Sequence, residues 1–365
     1  MLYFIAVKRL DQILSRRRCS NLKKLRLETV KSVGQLICHD ITKIEKGSFK
    51  GAIFKRGHRI CADDVETLLS LGKNHIYTLD LEEGELHEDE AGMRLARALA
   101  GPGLAVGKPS EGRLDLFAKH SGLLKIDTAR LQRINSVPDV VVATLHSGTP
   151  LENGEKVAGA KVIPLVVNEE TVAAVEKICA EGSPPLKVKP YLTYKIGGII
   201  TGREVVEGRI KDGFAPVLTE KAARFGQGEP FIRFCGDDAD QIAALVEELL
   251  SKGCNMVIIT GGMSVDPDDV TPTGIKKTGA EVIKYGAPAL PGAMFLLAYK
   301  GELPLIGLPA CAMYFQNTVL DILLPRLLAG EKVTSEEIAA LGHGGLCQHC
   351  ENCTFPKCSF GKGSL

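Results

Sequence analysis

A chain of 365 residues is too long for one ordinary hydrophobic core, so its length predicts two or three domains. A formal net charge of +1 and the absence of Trp argue against a surface that recruits nucleic acid by overall charge and base stacking. No apolar run approaches the roughly 20 residues that a membrane-spanning helix requires, so we expect a cytoplasmic protein with no membrane partner.

Composition divides the chain into four parts. The run Gly-Ser-Pro-Pro at 182–185 cannot continue a helix and marks the main boundary. The predicted parts are a basic, flexible lead (1–28), an α+β region (29–182), an α/β domain (189–330), and a spacer with a Cys-rich tail (331–365).

The α+β region mixes short apolar runs with helical spacing and many glycines. It predicts a strand and turn at 53–58, strands at 75–79, 140–145 and 162–167, and helices at 63–72, 88–100 and 169–180. His146-Ser147-Gly148-Thr149 follows one of these strands and is a candidate for an additional ligand contact.

The α/β domain alternates apolar strands with helices of ordinary length. Strands are predicted at 195–201, 231–235, 256–260 and 305–308, with a helix between Asp238 and Gly253 and a closing helix at 310–328. Strands that are apolar throughout, as at 256–260, are typical of a sheet covered by helices on both faces. The pattern predicts a doubly wound, mostly parallel sheet.

Ligands of such sheets bind beyond the carboxyl ends of the strands, so the residues there matter most. Three loops follow strands, at 201–205, 260–270 and 307–311. Paired glycines let backbone N–H groups approach an anion, and the acids Asp266, Asp268 and Asp269 indicate a Mg²⁺-assisted phosphate site. The alternative is a tight turn before a helix N-terminus, where Asp is favoured in any case.

Three motifs in these loops resemble the molybdopterin-binding domain of molybdopterin molybdotransferases, molybdopterin adenylyltransferases and competence-damage-inducible proteins. They are Thr201-Gly202-Arg203-Glu204, Thr260-Gly261-Gly262-Met263-Ser264 followed by Asp269, and Gly307-Leu308-Pro309. The segment from Gly57 to Gly72 is similar, more loosely, to the part of molybdotransferases that precedes this domain.

The resemblance implies a role for each matching position. Glu204 and Asp269 would be the catalytic carboxylates, which hold Mg²⁺ or orient molybdate. The positions implied to contact molybdopterin are Thr201, Gly202, Thr260, Gly261, Gly262, Ser264, Gly307, Leu308 and Pro309.

Four positions depart from the family pattern. Asp266 stands where the enzymes have Gly, and Arg203 stands where they have an acid. The loop 289–294 lacks the flanking Lys, and Ala310-Cys311-Ala312 replaces Gly-Asn-Pro. These changes leave binding of molybdopterin in place as the expectation and weaken the case for molybdate insertion.

The tail concentrates four of the eleven cysteines in its last nineteen residues. Their spacing, Cys347-x2-Cys350-x2-Cys353-x4-Cys358, predicts a Zn²⁺ site or an iron–sulfur cluster, and the sequence leaves both open.

The leading hypothesis is a protein that binds molybdopterin, alone or nucleotide-linked, in molybdenum-cofactor biosynthesis. The sequence leaves open whether it also inserts molybdate with Mg²⁺ as a transferase. One alternative is a non-catalytic carrier or sensor that docks to a molybdoenzyme through the tail. Another is a nucleotide pyrophosphatase of the competence-damage type. The resemblance also implies a homo-oligomer.

Overall fold

The computed structural model describes residues 24–45, 49–79, 81–110, 112–264, 266–267 and 269–363. The first part, up to residue 79, packs short strands around a small core that contains Ile37, Ile60 and Leu68. Its elements are β1 (Lys24–Glu28), a 3-10 helix (Thr29–Lys31), β2 (Leu36–Ile37), β3 (Ile41–Glu45), β4 (Phe49–Phe54), α1 (Ala62–Ser70) and β5 (His75–Leu79). Because β1 pairs along its whole length with β5, the predicted start of regular structure at Thr29 is five residues late. The rest of the predicted lead lies outside the described residues.

The second part, from 85 to 190, is built from antiparallel sheets with three helices. Its elements are β6 (Glu85–His87), α2 (Glu88–Leu99), β7 (Leu104–Val106), β8 (Arg113–Ala118), β9 (Gly122–Ile126), α3 (Thr128–Asn135), β10 (Val140–Thr144), β11 (Pro150–Leu151), β12 (Lys156–Val162), β13 (Val166–Asn168), α4 (Glu169–Cys179) and β14 (Leu186–Pro190). The strand predicted at 162–167 is wrong, because the chain bends at 163–165 and passes from β12 to β13, which lie in different sheets.

The third part alternates strands and helices. Its elements are β15 (Ile196–Thr201), α5 (Arg203–Val206), α6 (Phe214–Arg224), β16 (Phe231–Cys235), α7 (Ala239–Ser251), β17 (Met256–Thr260), α8 (Thr271–Lys277), β18 (Glu281–Tyr285), β19 (Leu296–Lys300), β20 (Leu303–Leu308), a 3-10 helix (Ala310–Met313), α9 (Val319–Leu328) and α10 (Ser335–Ala340). Among the described residues, no helix is both long enough and apolar enough to cross a membrane.

One six-stranded sheet organises this part, in the order β16-β15-β17-β20-β19-β18. The first four strands are parallel, whereas β19 and β18 run antiparallel to their neighbours. The sheet is therefore mixed, and the prediction of a mostly parallel sheet holds only for the four strands that the sequence identified.

Apolar side chains on the two faces of this sheet enter two separate clusters. Ile196 and Ile258 pack with Leu218 of α6 and with α9, whereas Ile199 packs with Val246 of α7 and with α8. Helices therefore cover both faces, which explains why the central strands are apolar throughout.

The chain order creates a switch point between β15 and β17. From β15 the chain passes to β16 on one side, and from β17 it passes through α8 to β18 at the far edge on the other side. Connections that leave in opposite directions open a crevice at the carboxyl ends of the two strands, and ligands of open α/β sheets bind in such crevices.

The predicted closing helix at 310–328 is wrong in its first half. A 3-10 helix ends at Met313, and α9 begins only at Val319. Thr318 caps α9, and the Asp321 carboxylate accepts a hydrogen bond from the Thr318 backbone N–H at 2.7 Å, so a new helix begins here.

The Cys-rich tail packs against the α/β core. Phe360 is buried in the cluster that includes α9, and Phe355 packs beside it. The Cys347 N–H donates to the Leu290 carbonyl at 2.8 Å. The tail therefore uses the core of the preceding domain.

Candidate functional site

The crevice between β15 and β17 is closed at its base by two threonines. The Thr201 hydroxyl donates to the Thr260 carbonyl at 3.1 Å, and the Thr260 hydroxyl donates to the Ile199 carbonyl at 3.5 Å. Both side chains are buried. Their hydroxyls therefore tie the two strands together, whereas the sequence led us to expect donors aimed at a ligand.

Three glycines shape the backbone around the crevice. Gly202, Gly261 and Gly262 all have φ in the left-handed range, at +136°, +84° and +55°. A Cβ at Gly261 would lie 2.6 Å from the Thr201 hydroxyl oxygen and 2.7 Å from the Thr201 carbonyl oxygen. The two loops thus approach each other as closely as backbone allows, and only Gly fits there.

Two residues that the sequence did not single out hold the Gly-Gly loop in place. The Thr271 hydroxyl donates to the Gly261 carbonyl at 2.9 Å. The Tyr285 hydroxyl, from strand β18, donates to the Met263 carbonyl at 2.8 Å. Burial raises the pKa of Tyr285, and the charge of Asp269 raises it further, so the phenol stays a donor at neutral pH. Because the Gly261 and Met263 carbonyls are engaged, the N–H groups of this loop are the backbone groups that can bind an anion.

The two expected catalytic carboxylates lie on different loops of the crevice. Glu204 is exposed in the first turn of α5, where a Cβ on Gly202 would lie 2.8 Å from its Oε1. The Asp269 carboxylate accepts a hydrogen bond from the Asp266 N–H at 3.1 Å through Oδ2, and the Asp269 N–H donates to the Asp266 carbonyl at 3.0 Å. Asp269 is thus fixed in a turn with its other oxygen outside that bond. Asp268 lies outside the described residues.

The third predicted loop supports the crevice from below. The Leu308 side chain is fully buried in the core, and Pro309 is buried as well. A Cβ at Gly307 would lie 2.7 Å from the Met263 sulfur, so this glycine makes room for the side chain that anchors the Gly-Gly loop. Ser264, by contrast, is exposed on that loop.

A fourth loop, after β16, completes the edge of the sheet and was missed by the sequence analysis. The Asp237 carboxylate accepts a hydrogen bond from the Arg203 N–H at 3.2 Å, which fixes the start of α5. The Arg203 side chain is exposed and supplies positive charge at this edge of the sheet.

The four tail cysteines do not form one cluster. Cys347 and Cys358 pack against the core, whereas Cys350 and Cys353 are exposed, and the Asn317 amide lies 3.1 Å from the Cys353 sulfur. Across the part of the chain that the structure describes, no three His, Cys, Asp or Glu side chains are placed to hold a metal ion. Metal binding by the tail stays a prediction.

Comparison with known families divides the chain along similar lines. Residues 197–329 match the family described as a probable molybdopterin binding domain, and residues 26–80 match a domain of unknown function. The first range covers the four parallel strands, the crevice and α9.

Curated relatives resemble only part of the chain. A molybdopterin molybdenumtransferase of Synechococcus elongatus is 30% identical over 115 residues, which are 29% of this chain and 28% of that protein. A CinA-like protein of Mycolicibacterium vanbaalenii is 31% identical over 80 residues, or 22% of this chain and 19% of the relative. The chain therefore spans less than a third of either relative.

A solved structure, the molybdopterin biosynthesis Mog protein of Mycobacterium ulcerans, aligns at 18% identity and a TM-score of 0.32 over 40% of this chain and 99% of its own. The family match covers the segment that carries the crevice and its glycine loops. Residues 197–329 thus belong to the family of probable molybdopterin binding domains.

Proposed function

We propose that this protein binds molybdopterin in the crevice between β15 and β17, as part of molybdenum-cofactor biosynthesis. The observation that carries the proposal is the switch point, where Gly261 and Gly262 place backbone N–H groups in a partly exposed loop without Cβ atoms, whereas Gly202 is buried and its N–H donates to the Cys235 carbonyl at 3.1 Å. Such a surface suits the phosphate group of the ligand. Ser264 adds an exposed hydroxyl, and Arg203 adds a charge.

Mass spectrometry of the small molecule that co-purifies with the protein tests this proposal. We expect molybdopterin or one of its nucleotide forms, with its mass identifying the nucleotide if one is present. Protein that carries none and that fails to bind added molybdopterin in an anaerobic titration would contradict the proposal.

Molybdate insertion is the enzymatic extension of this proposal. Mg²⁺ uses one or two carboxylates together with substrate phosphates, and Glu204 and Asp269 supply that number of carboxylates at the crevice. The ion would supply positive charge beside a phosphoanhydride. In this proposal Asp269 holds the ion, and Arg203 and the loop N–H groups orient the phosphates.

Release of AMP from adenylylated molybdopterin in the presence of molybdate measures this activity. We expect Asp269→Asn to lower the rate by roughly a hundredfold, because the variant loses a carboxylate that would hold Mg²⁺ beside the reacting phosphate. Asp240→Asn, an exposed carboxylate on α7, should leave the rate unchanged. Equal rates in wild type and Asp269→Asn would remove Asp269 from the mechanism.

The same assay separates the two alternatives. A protein that binds molybdopterin tightly but releases no AMP would be a carrier or sensor, and the exposed Cys350 and Cys353 would then be the groups to test for contact with a molybdoenzyme. Hydrolysis of ordinary dinucleotides would indicate a pyrophosphatase. Analytical ultracentrifugation tests the homo-oligomer that the family resemblance implies.

A further inference from the structure

A cavity of about 860 Å³ lies at the amino ends of the parallel strands, whereas the crevice opens at their carboxyl ends. Tyr191 precedes β15, and Arg224 and Phe225 end α6 before β16, so these three residues mark the amino ends of the strands. The remaining walls are the loops at 144–156 and the tail at 356–362. Three separate parts of the chain therefore meet around this cavity, which is within the size range of sites for small organic ligands.

The charge of the lining favours an anion. The lining carries four cationic side chains and two carboxylates, Glu152 and Glu155. One of the four cations, Lys156, is already paired with Asp115. The other three cationic side chains are Lys357, Lys362 and Arg224, whose guanidinium donates to the Asn317 side chain at 3.3 Å and lies 3.8 Å from the Asp321 carboxylate.

Lys362 is the cation whose surroundings most favour a bound anion. Its ammonium donates at 2.7 Å to the Thr149 hydroxyl, which carries no charge. Burial lowers the pKa of Lys362, because the surroundings disfavour its charge. Among the described residues the Thr149 hydroxyl is the hydrogen-bond partner of this half-buried ammonium, and a bound anion would be stabilised strongly beside it.

A buried donor lies in another wall of the cavity. The Tyr191 hydroxyl is buried and has no hydrogen-bond partner among the described residues. Burial raises the pKa of Tyr191, so the phenol remains protonated. Leaving such a group without a partner costs free energy, and a ligand oxygen that reaches the hydroxyl would remove that cost.

Apolar and aromatic groups form the rest of the lining. The rings of Tyr191 and Phe225 meet edge to face at 5.5 Å, and the Arg224 guanidinium lies 5.6 Å from the centre of the Phe225 ring. Leu145 and Pro150 add apolar surface from the facing loop. Walls of this kind accept the faces and edges of a planar ring.

We propose that this cavity is a second ligand site, specific for a phosphomonoester attached to a planar heterocycle, of which a nucleoside monophosphate is the simplest example. Lys362 and Arg224 would bind the phosphate, Tyr191 would donate to an oxygen of the ligand, and the apolar walls would hold the ring. The segment His146–Thr149, which the sequence marked as an additional ligand contact, contributes His146 and Thr149 to the lining.

Isothermal titration calorimetry of the full chain with AMP tests this site, with adenosine and inorganic phosphate as partial probes. We expect AMP to bind more tightly than either fragment, since each lacks one half of the recognised group. Lys362→Gln should weaken AMP binding about tenfold or more, because a charge-assisted hydrogen bond is lost. Lys177→Gln, an exposed lysine on α4, is the matched control and should bind AMP as the wild type does.

Hydrogen–deuterium exchange locates the bound AMP. Slower exchange at 144–151 and 355–363, retained in a Gly261→Ala variant, supports the second site independently of the proposed crevice function. Protection at 260–264, with AMP affinity lost in Gly261→Ala but kept in Lys362→Gln, would overturn the proposal and assign AMP to the crevice. Equal affinity for AMP and inorganic phosphate, or no binding of AMP, would also overturn it.

Discussion

Replacing Lys221 with Met is expected to lower the free energy of unfolding by about 3–5 kcal/mol, the cost of removing one partner from a buried ion pair. The Lys221 ammonium on α6 lies 2.6 Å from the Asp321 carboxylate on α9, and the two side chains are only 9% and 1% exposed. Without Lys221, the Asp321 charge would remain in the core next to the sheet. Arg224 lies 3.8 Å from the same oxygen, beyond hydrogen-bond distance, so it replaces only part of the lost interaction.

The ion pair between Lys277 and Asp240 provides the matched control. Its N–O distance is also 2.6 Å, but the side chains are 44% and 81% exposed. Solvent weakens such a pair, so Lys277→Met should cost less than about 1 kcal/mol. Urea unfolding followed by circular dichroism measures both variants. Similar losses in the two would show that burial of the Lys221–Asp321 pair is not what makes it important.

A local motif signals the helix start that carries Asp321, whereas no local signal identifies its ion pair with Lys221. Thr318 and Asp321 have the spacing of a capping box, which signals the start of a helix. The apolar residues on both sides of it encouraged the prediction of one helix from 310 to 328. The partner Lys221 is a hundred residues away in sequence, and a buried lysine on an otherwise ordinary helix carries no local signal.

Strands β15, β17 and β20 were predictable because burial on both faces makes them apolar throughout. They fall at their predicted positions to within two residues. Position in the sheet does not separate predicted from missed strands, because β16 lies at one edge and was predicted, whereas β19 is buried inside the sheet and was missed. Strand β18 was also missed, and its residues at the other edge are only partly buried and its apolar run is broken.

The crevice was predictable in its backbone and not in its side chains. Glycines in loops after parallel strands mark positions with positive φ, and Gly202, Gly261 and Gly262 have it. The sequence could not show that the Thr201 and Thr260 hydroxyls bond to backbone carbonyls, since hydroxyl partners depend on strand register. Tyr285 and the cavity beside Tyr191 likewise depend on contacts between distant segments.

Replacing Gly261 with Ala is expected to weaken molybdopterin binding by at least about tenfold, the scale of one lost or displaced polar contact. At φ +84° any side chain is strained, and the new methyl would lie 2.6 Å from the Thr201 hydroxyl oxygen. Either Thr201 gives up its bond to the Thr260 carbonyl, or the Gly-Gly loop moves away from α5. Both responses displace the N–H groups that the proposal assigns to the phosphate. Anaerobic titration with molybdopterin, followed by its pterin fluorescence, measures the change.

Gly279→Ala separates the two effects that Gly261→Ala combines. Gly279 has φ +75°, close to that of Gly261, but a Cβ there would meet no atom within 4 Å. The variant therefore bears a similar backbone strain, of order 1 kcal/mol, without touching the crevice. We expect its affinity for molybdopterin to stay within twofold of wild type while both variants lose stability. If Gly261→Ala also bound molybdopterin with wild-type affinity, the Gly-Gly loop would not form the phosphate site, and the ligand would have to bind away from the switch point.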